Sequence, residues 1–183
     1  MLKAKITDND IGYPMGKLDN PKTRTGARGI VVRDDGKIAI LHKANKNEYK
    51  LPGGGVEEGE SPDIAFVREV MEEAGCEVDD VVNLGTIEEE KTGNNFYQKS
   101  YVYVAKVTLD TGVLHLTEKE IGEGSNIQWF TVDEAIEKIG GCYDIILASP
   151  SDKDENVYAS KFIIKRDLAI LDYYKNVYLE GKH

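Results

Sequence analysis

The segment from Gly54 to Cys76 constrains this chain more than any other, because it fixes a helix with a charged side directly after a glycine-rich turn. Ser61 is a good N-cap, Pro62 suits the first helical position, Asp63 favours the positive end of the helix dipole and Gly75 can close the C-terminus. Together they predict a helix from about Pro62 to Ala74. On it Glu69, Glu72 and Glu73 stand at i, i+3 and i+4 and share one face, while Ile64, Val67, Val70, Met71 and Ala74 supply an apolar face. The expectation is a helix that packs on one side and binds something positive on the other.

Like charges at helical spacing destabilise a helix by about 0.2–0.5 kcal/mol per pair, so a purely structural design would interleave lysines. Only Arg68 offers relief. Between Gly54 and Cys76 the acidic residues Glu57, Glu58, Glu60, Asp63, Glu69, Glu72 and Glu73 give a local charge of −6, out of −10 for the whole chain. Clustered carboxylate oxygens suit hard divalent cations such as Mg²⁺ or Mn²⁺, which keep waters and bridge to phosphates. Zinc is disfavoured, since there is no Cys/His cluster. The plain alternative is an acidic face that is simply solvated.

The spacing is more specific than that alternative. Gly54 is followed six positions later by Glu60 and eight further on by Arg68, then Glu69, Val70, Glu72, Glu73 and Gly75. This pattern resembles the Nudix box of the Nudix hydrolases. It departs only at Cys76, where the family usually carries an aliphatic residue, and cysteine is itself a small hydrophobe. The resemblance implies a metal-dependent hydrolase that cleaves the pyrophosphate linkage of a nucleoside diphosphate derivative with activated water. It also implies that Glu69, Glu72 and Glu73 hold Mg²⁺, with Mn²⁺ as substitute, that the Gly53 carbonyl is a further ligand, and that Arg68 pairs with Glu60. Glycines at 53 to 55 fit such a role, because they let backbone approach a ligand closely. The general base is either Glu69 or a glutamate outside the box. Outside it Glu123 is favoured, as catalytic group and metal ligand, in the loop-like stretch Gly122 to Asn126 before Trp129; Glu118 and Glu120 are rivals, and a plain surface carboxylate is the bland reading.

The box covers about an eighth of the chain. At 183 residues the length suits one domain with a substantial core. Gly29 to Arg33 and Lys37 to His42 flank Asp34-Asp35-Gly36 and read as a β-hairpin. Val78 to Thr86 and Tyr97 to Leu109 read as strands, as does Ile127 to Phe130, followed by Thr131 as N-cap of a helix to about Ile139. Strands bracketing helices give an α/β class, and the family's fold is an α/β/α sandwich around a mixed β-sheet. The expected division is a polar N-terminal arm over 1–23, a Nudix domain over 24–150 and a helical extension over 151–183. In the extension Ile164, Leu168, Leu171 and Tyr174 form a stripe that Ile163, Ile170, Tyr173, Val177 and Tyr178 widen. That helix is expected to pack on its own domain, with a homodimer interface as the alternative.

The chain lacks an apolar signal core and any long apolar run, and Cys76 and Cys142 read as reduced thiols. The expected setting is the cytoplasm, with no membrane partner. A net charge of −10 argues against binding nucleic acid, whose footprint is a basic patch. A small phosphorylated nucleotide escapes that objection. Arg24, Arg28, Lys43 and Lys50 either face its phosphates or serve as ordinary surface cations. Tyr49, Phe96, Tyr97 and Tyr101 either stack on a base or fill the core. No proline lies between Pro62 and Pro150, whereas ADP-ribose-specific members often carry one past the box. A nucleoside triphosphate, an oxidised one included, is therefore the leading expectation, with ADP-ribose or a nucleotide sugar as the alternative. A nucleotide-sensing domain without turnover is the alternative of another class; such domains commonly lose box glutamates, and none is missing here.

Overall fold

The computed structural model describes residues 1–147 and 155–182, so the expected domain boundary after residue 150 lies outside the described residues. The frame is an eight-stranded mixed sheet. Strands β1 (Leu2–Thr7), β2 (Lys22–Val32), β3 (Ile38–Lys43), β4 (Glu48–Lys50), β6 (Cys76–Lys91) and β7 (Phe96–Asp110) run in the order β1-β6-β7-β2-β3-β4. Strand β5 (Gly53–Gly55) adds to β2, and β8 (Ser125–Phe130) adds to β3. The pairs β1–β6 and β2–β7 are parallel; β6–β7, β3–β8 and β2–β5 are antiparallel.

Alternation along the strands builds a core on each side of the sheet. Ala27, Val31, Ala39, Tyr103 and Ala105 face helix α1 (Pro62–Ala74), where they bury Ala65, Phe66, Val70 and Ala74. Their neighbours Ile30, Ile38, Ile40, Val102 and Val104 face the opposite way, against α3 (Val132–Leu147) and α4 (Glu155–Tyr173). The result is the α/β/α sandwich. A short helix, α2 (Glu118–Gly122), precedes β8 behind the capping residue Thr117.

Helix α1 has the expected bounds, with Ser61 as N-cap and Gly75 left-handed at the C-terminus. Its buried face differs from the expected one. Ile64 and Val67 are exposed, and Ala65 and Phe66 are buried instead. Phe66 decides the phase, because its ring carries more apolar area and stacks on Tyr103 at 5.4 Å between centroids. That rotation also draws Glu73 in, leaving it 2 % exposed.

Other elements outrun their local signals. β6 begins at Cys76 and reaches Lys91, and α3 continues past Ile139 to Leu147. Residues 2–7, within the expected arm, form β1, whose partner is β6 from Gly85 to Glu90. Helix α4 lies on its own sheet, burying Tyr158, Phe162, Ile164, Ile170 and Leu171, and passes into a wider π-type turn at Tyr174–Leu179. Cys76 and Cys142 are free and buried. Among the described residues no helix is long and apolar enough to cross a membrane.

Candidate active site

The glycine turn lies where β5 leaves β2, with Arg28 paired to Gly53 and Gly26 to Gly55. Gly53 has φ of +137°, a conformation that side-chain-bearing residues rarely adopt. At Gly54 the constraint is space, since a Cβ there would come within 2.3 Å of a Glu69 carboxylate oxygen. The turn therefore lies directly against the acidic face of α1.

Arg68 ties the two together. Its Nε and Nη2 donate to the two oxygens of Glu60 at 2.9 and 3.1 Å, and Nη2 also reaches the Gly55 carbonyl at 3.0 Å. Its Nη1 bridges Glu69 at 3.0 Å and Glu72 at 3.2 Å. The fork geometry explains why arginine rather than lysine stands here. Pairing with Arg68 lowers the Glu60 pKa and raises that of Arg68. Burial and the neighbouring Glu73 raise the pKa of Glu69, against the pull of Arg68. Glu73 accepts from the Gly53 N–H at 2.7 Å and from Lys50 Nζ at 2.9 Å.

These groups form one wall of a cleft of about 430 Å³. Arg24, Arg28, Lys43 and Lys50 all line it, as do Lys91, Lys119 and Arg166. In a chain of charge −10, eight basic side chains line this cleft against six acidic ones. Glu123 lines it too, from the end of α2, and is 7 % exposed. Both its oxygens are engaged, Oε2 with Lys43 at 2.7 Å and Oε1 with Lys46 at 2.6 Å. Burial alone would raise its pKa; the two lysines overcome that and bring it down to about 2. Of its rivals, Glu120 lines the cleft but its side chain caps α2 at Thr117, and Glu118 does not line it.

None of Tyr49, Phe96, Tyr97 and Tyr101 lines the cleft. Tyr49 stacks on His42 at 4.2 Å, and Tyr101 belongs to the core under α1.

The deep end is built from residues that sequence reasoning passed over. Arg166 on α4 reaches Glu89 on β6 at 3.3 Å and its neighbour Asp167 at 2.8 Å. Lys91 meets the other oxygen of Glu89 at 2.9 Å, and Gln98 donates to Glu89 and Ser100 at 3.0 Å each. Asp167 accepts from the Leu51 N–H at 2.9 Å, just before the glycine turn. A signal existed in the strands: the inward positions change from apolar to polar through Ile30, Arg28 and Arg24, through Val102, Ser100 and Gln98, and through Ile87, Glu89 and Lys91.

The donor set suits a hard divalent cation: Glu69, Glu72, Glu73 and the Gly53 carbonyl offer only oxygen, and burial together with the neighbouring Glu73 raises the pKa of Glu69. As the side chains lie, Arg68 and Lys50 hold the carboxylates apart. Among the described residues no three acidic, histidine or cysteine side chains converge on one point.

Comparison with known protein families matches the NUDIX domain over residues 22–146. The chain belongs to that family. It is 29 % identical over 144 residues to a MutT-like protein of Streptomyces ambofaciens, covering 78 % of this chain and 86 % of that one. It is 31 % identical over 121 residues to diphosphoinositol polyphosphate phosphohydrolase 3-alpha of Mus musculus, covering 66 % and 70 %. Among solved structures a NUDIX hydrolase from Nitrosomonas europaea shares the fold, with a TM-score of 0.54 and 22 % identity over 69 % of this chain and 90 % of that one. The protein is thus a Nudix pyrophosphohydrolase, of a family that uses divalent metal ions and acts on small phosphorylated substrates, nucleoside diphosphate derivatives in general.

Proposed function

We propose that this enzyme uses Mg²⁺ to hydrolyse the pyrophosphate linkage of a nucleoside triphosphate. The observation that carries this reading is the cleft itself, with the acidic face of α1 opposite Arg24, Lys43, Lys119 and the cations at its deep end. Such a cleft suits a chain of several phosphates more than a substrate with two.

In this reading Glu69, Glu72, Glu73 and the Gly53 carbonyl hold the metal. When bound, the ion supplies charge neutralisation on the phosphoryl oxygens and an acidified water. Arg68 and Glu60 keep the turn against the helix so that these oxygens stay aligned. Glu69, whose carboxylate lies in the cleft against the glycine turn, is the candidate general base, and a positioned base contributes about 10²–10⁴-fold. Glu123, expected as a ligand, has both oxygens committed to lysines; here it acts by fixing Lys43 at the cleft wall.

A second reading is favoured by the lining, which among the described residues contains no aromatic side chain to stack on a base. A phosphate-rich anhydride without a base, such as the diphosphoinositol polyphosphate for which the mouse relative is named, fits that lining. Turnover with Mg²⁺ or Mn²⁺ across nucleoside triphosphates, oxidised purine nucleotides, ADP-ribose, nucleotide sugars and diphosphoinositol polyphosphates decides between them. Preference for ADP-ribose or a nucleotide sugar would defeat both. Absence of turnover on every compound would favour a nucleotide-sensing role.

A further inference from the structure

The deep end of the cleft carries more positive charge than its neighbours neutralise. Arg28, Lys91 and Arg166 are 4, 8 and 3 % exposed, and among the described residues their ion pairs are with two carboxylates, Glu89 and Asp167, which are fully buried. Arg166 and Lys91 share Glu89, and Arg166 also holds Asp167. Arg28 has no carboxylate of its own. Its Nε donates to Ser100 Oγ at 3.3 Å, and its two terminal nitrogens have no acceptor among the described residues. A largely buried charge with no counter-ion in contact is unfavourable unless a ligand neutralises it, and arginine cannot escape by losing its proton.

The geometry gives those terminal nitrogens a direction. Arg28 lines the cleft together with Lys91, Gln98 and Arg166. Ser100, which also accepts from Gln98, holds its Nε and leaves the terminal nitrogens for a ligand, an arrangement that matches two oxygens of a phosphate.

We propose that Arg28, Lys91 and Arg166 form a second anion subsite, which holds a phosphate group of the substrate remote from the scissile pyrophosphate. The assignment to a substrate phosphate rests on the hydrolase reading above; the anion site itself does not. The substrate class is then a pyrophosphate compound with at least one further phosphate, and Arg28 is its specificity residue.

Two measurements test this. The first is calorimetric titration of the metal-free full chain with inorganic phosphate. Arg28→Gln is expected to weaken phosphate binding by roughly 10- to 100-fold, the loss of charged hydrogen bonds, and Arg28→Lys by less. Glu72→Gln, on the metal face, is expected to leave it. Unchanged phosphate binding in folded Arg28→Gln overturns the subsite, as does loss in Glu72→Gln alone; should the glutamine variant fail to fold, the lysine variant gives the same decision. The second compares KM for ADP-ribose and its 2′-phosphorylated form with Mg²⁺, the phosphorylated compound being favoured in the wild type and the preference erased by Arg28→Gln. Equal KM values, with Arg28→Gln altering only inhibition by free phosphate, overturn the substrate assignment. Phosphate binding that depends on Arg28 in a protein with no turnover on any compound sustains the subsite and removes the hydrolase reading instead.

Discussion

Lys50 Nζ lies 2.9 Å from Glu73, so a carboxylate on the acidic face of α1 is held by a lysine of β4. A cation bound to Glu73 has to compete with that ammonium. Lys50→Met is therefore expected to tighten Mn²⁺ binding in the absence of substrate, by about tenfold, from Coulomb energies at short range in a partly screened site. Titration of Mn²⁺ followed by paramagnetic relaxation checks this; weaker binding in the variant means that Lys50 supports the ion rather than competing with it.

Glu72 is the most exposed of the three helix glutamates, with 41 % of its side chain accessible, and among the described residues its carboxylate pairs with Arg68. Glu72→Gln is expected to lower turnover by at least about 10²-fold, the scale of losing one preorganised electrostatic group at a reacting centre. Stability should change by no more than about 0.5 kcal/mol, as for a surface substitution. Substantial retained turnover would sink the metal-site assignment.

Glu123 makes a pH-dependent contribution whose sign follows from its depressed pKa of about 2. Its stabilisation is complete above the unfolded carboxyl value, near 4.5, and is lost as pH falls through about 2. Urea unfolding should show Glu123→Gln less stable than wild type near pH 6, by at most on the order of 3 kcal/mol, with the gap narrowing towards pH 2. A gap that is constant with pH would assign the loss to packing.

Asp167 accepts from Leu51 N–H and from Arg166 with no exposure to solvent. Asp167→Ala removes both partners at once and leaves Arg166 undercompensated. The expected cost is about 3–5 kcal/mol in equilibrium unfolding. Because the lost bond also steadies the start of the glycine turn, kcat is expected to fall in whatever fraction remains folded. A cost below about 1 kcal/mol would show that Asp167 does not compensate Arg166 in the folded protein.

Glu69 has the opposite sign to Glu123. Its raised pKa means that ionising it opposes folding as pH rises from the unfolded carboxyl value to the folded one. Glu69→Gln is therefore expected to raise the metal-free melting temperature at neutral pH while removing the stabilisation that Mg²⁺ gives the wild type. Equal Mg²⁺ stabilisation in both proteins would take Glu69 out of the metal set.

The turn, helix α1 and its charged face were legible because they depend on local signals: caps, glycines and a 3.6-residue period. The phase of the buried face was not. Ile64 and Val67 look as apolar in sequence as Phe66, and only the sheet shows that the aromatic ring is the side chain that inserts. Arg24, Arg28, Lys43 and Lys50 were visible as cations, but their common cleft comes from β2, β3 and β4 meeting at one end. Arg166 and Asp167 were hidden within a helix whose apolar stripe invited a packing role. Their partners Glu89 and Leu51 are far away in the chain, and no local pattern reports such a pairing.

Helix α4 lies beyond the stretch that matches the family, yet it delivers Arg166 into the cleft and Asp167 to the backbone before the glycine turn. The acidic face of α1 and the Arg166 side of the cleft thus come from separate lengths of chain, while Arg28 and Lys91 lie within the matched one. Proteins sharing the matched domain need not share that wall. Selection can alter that side of the cleft through α4 without disturbing α1 or the glycine turn.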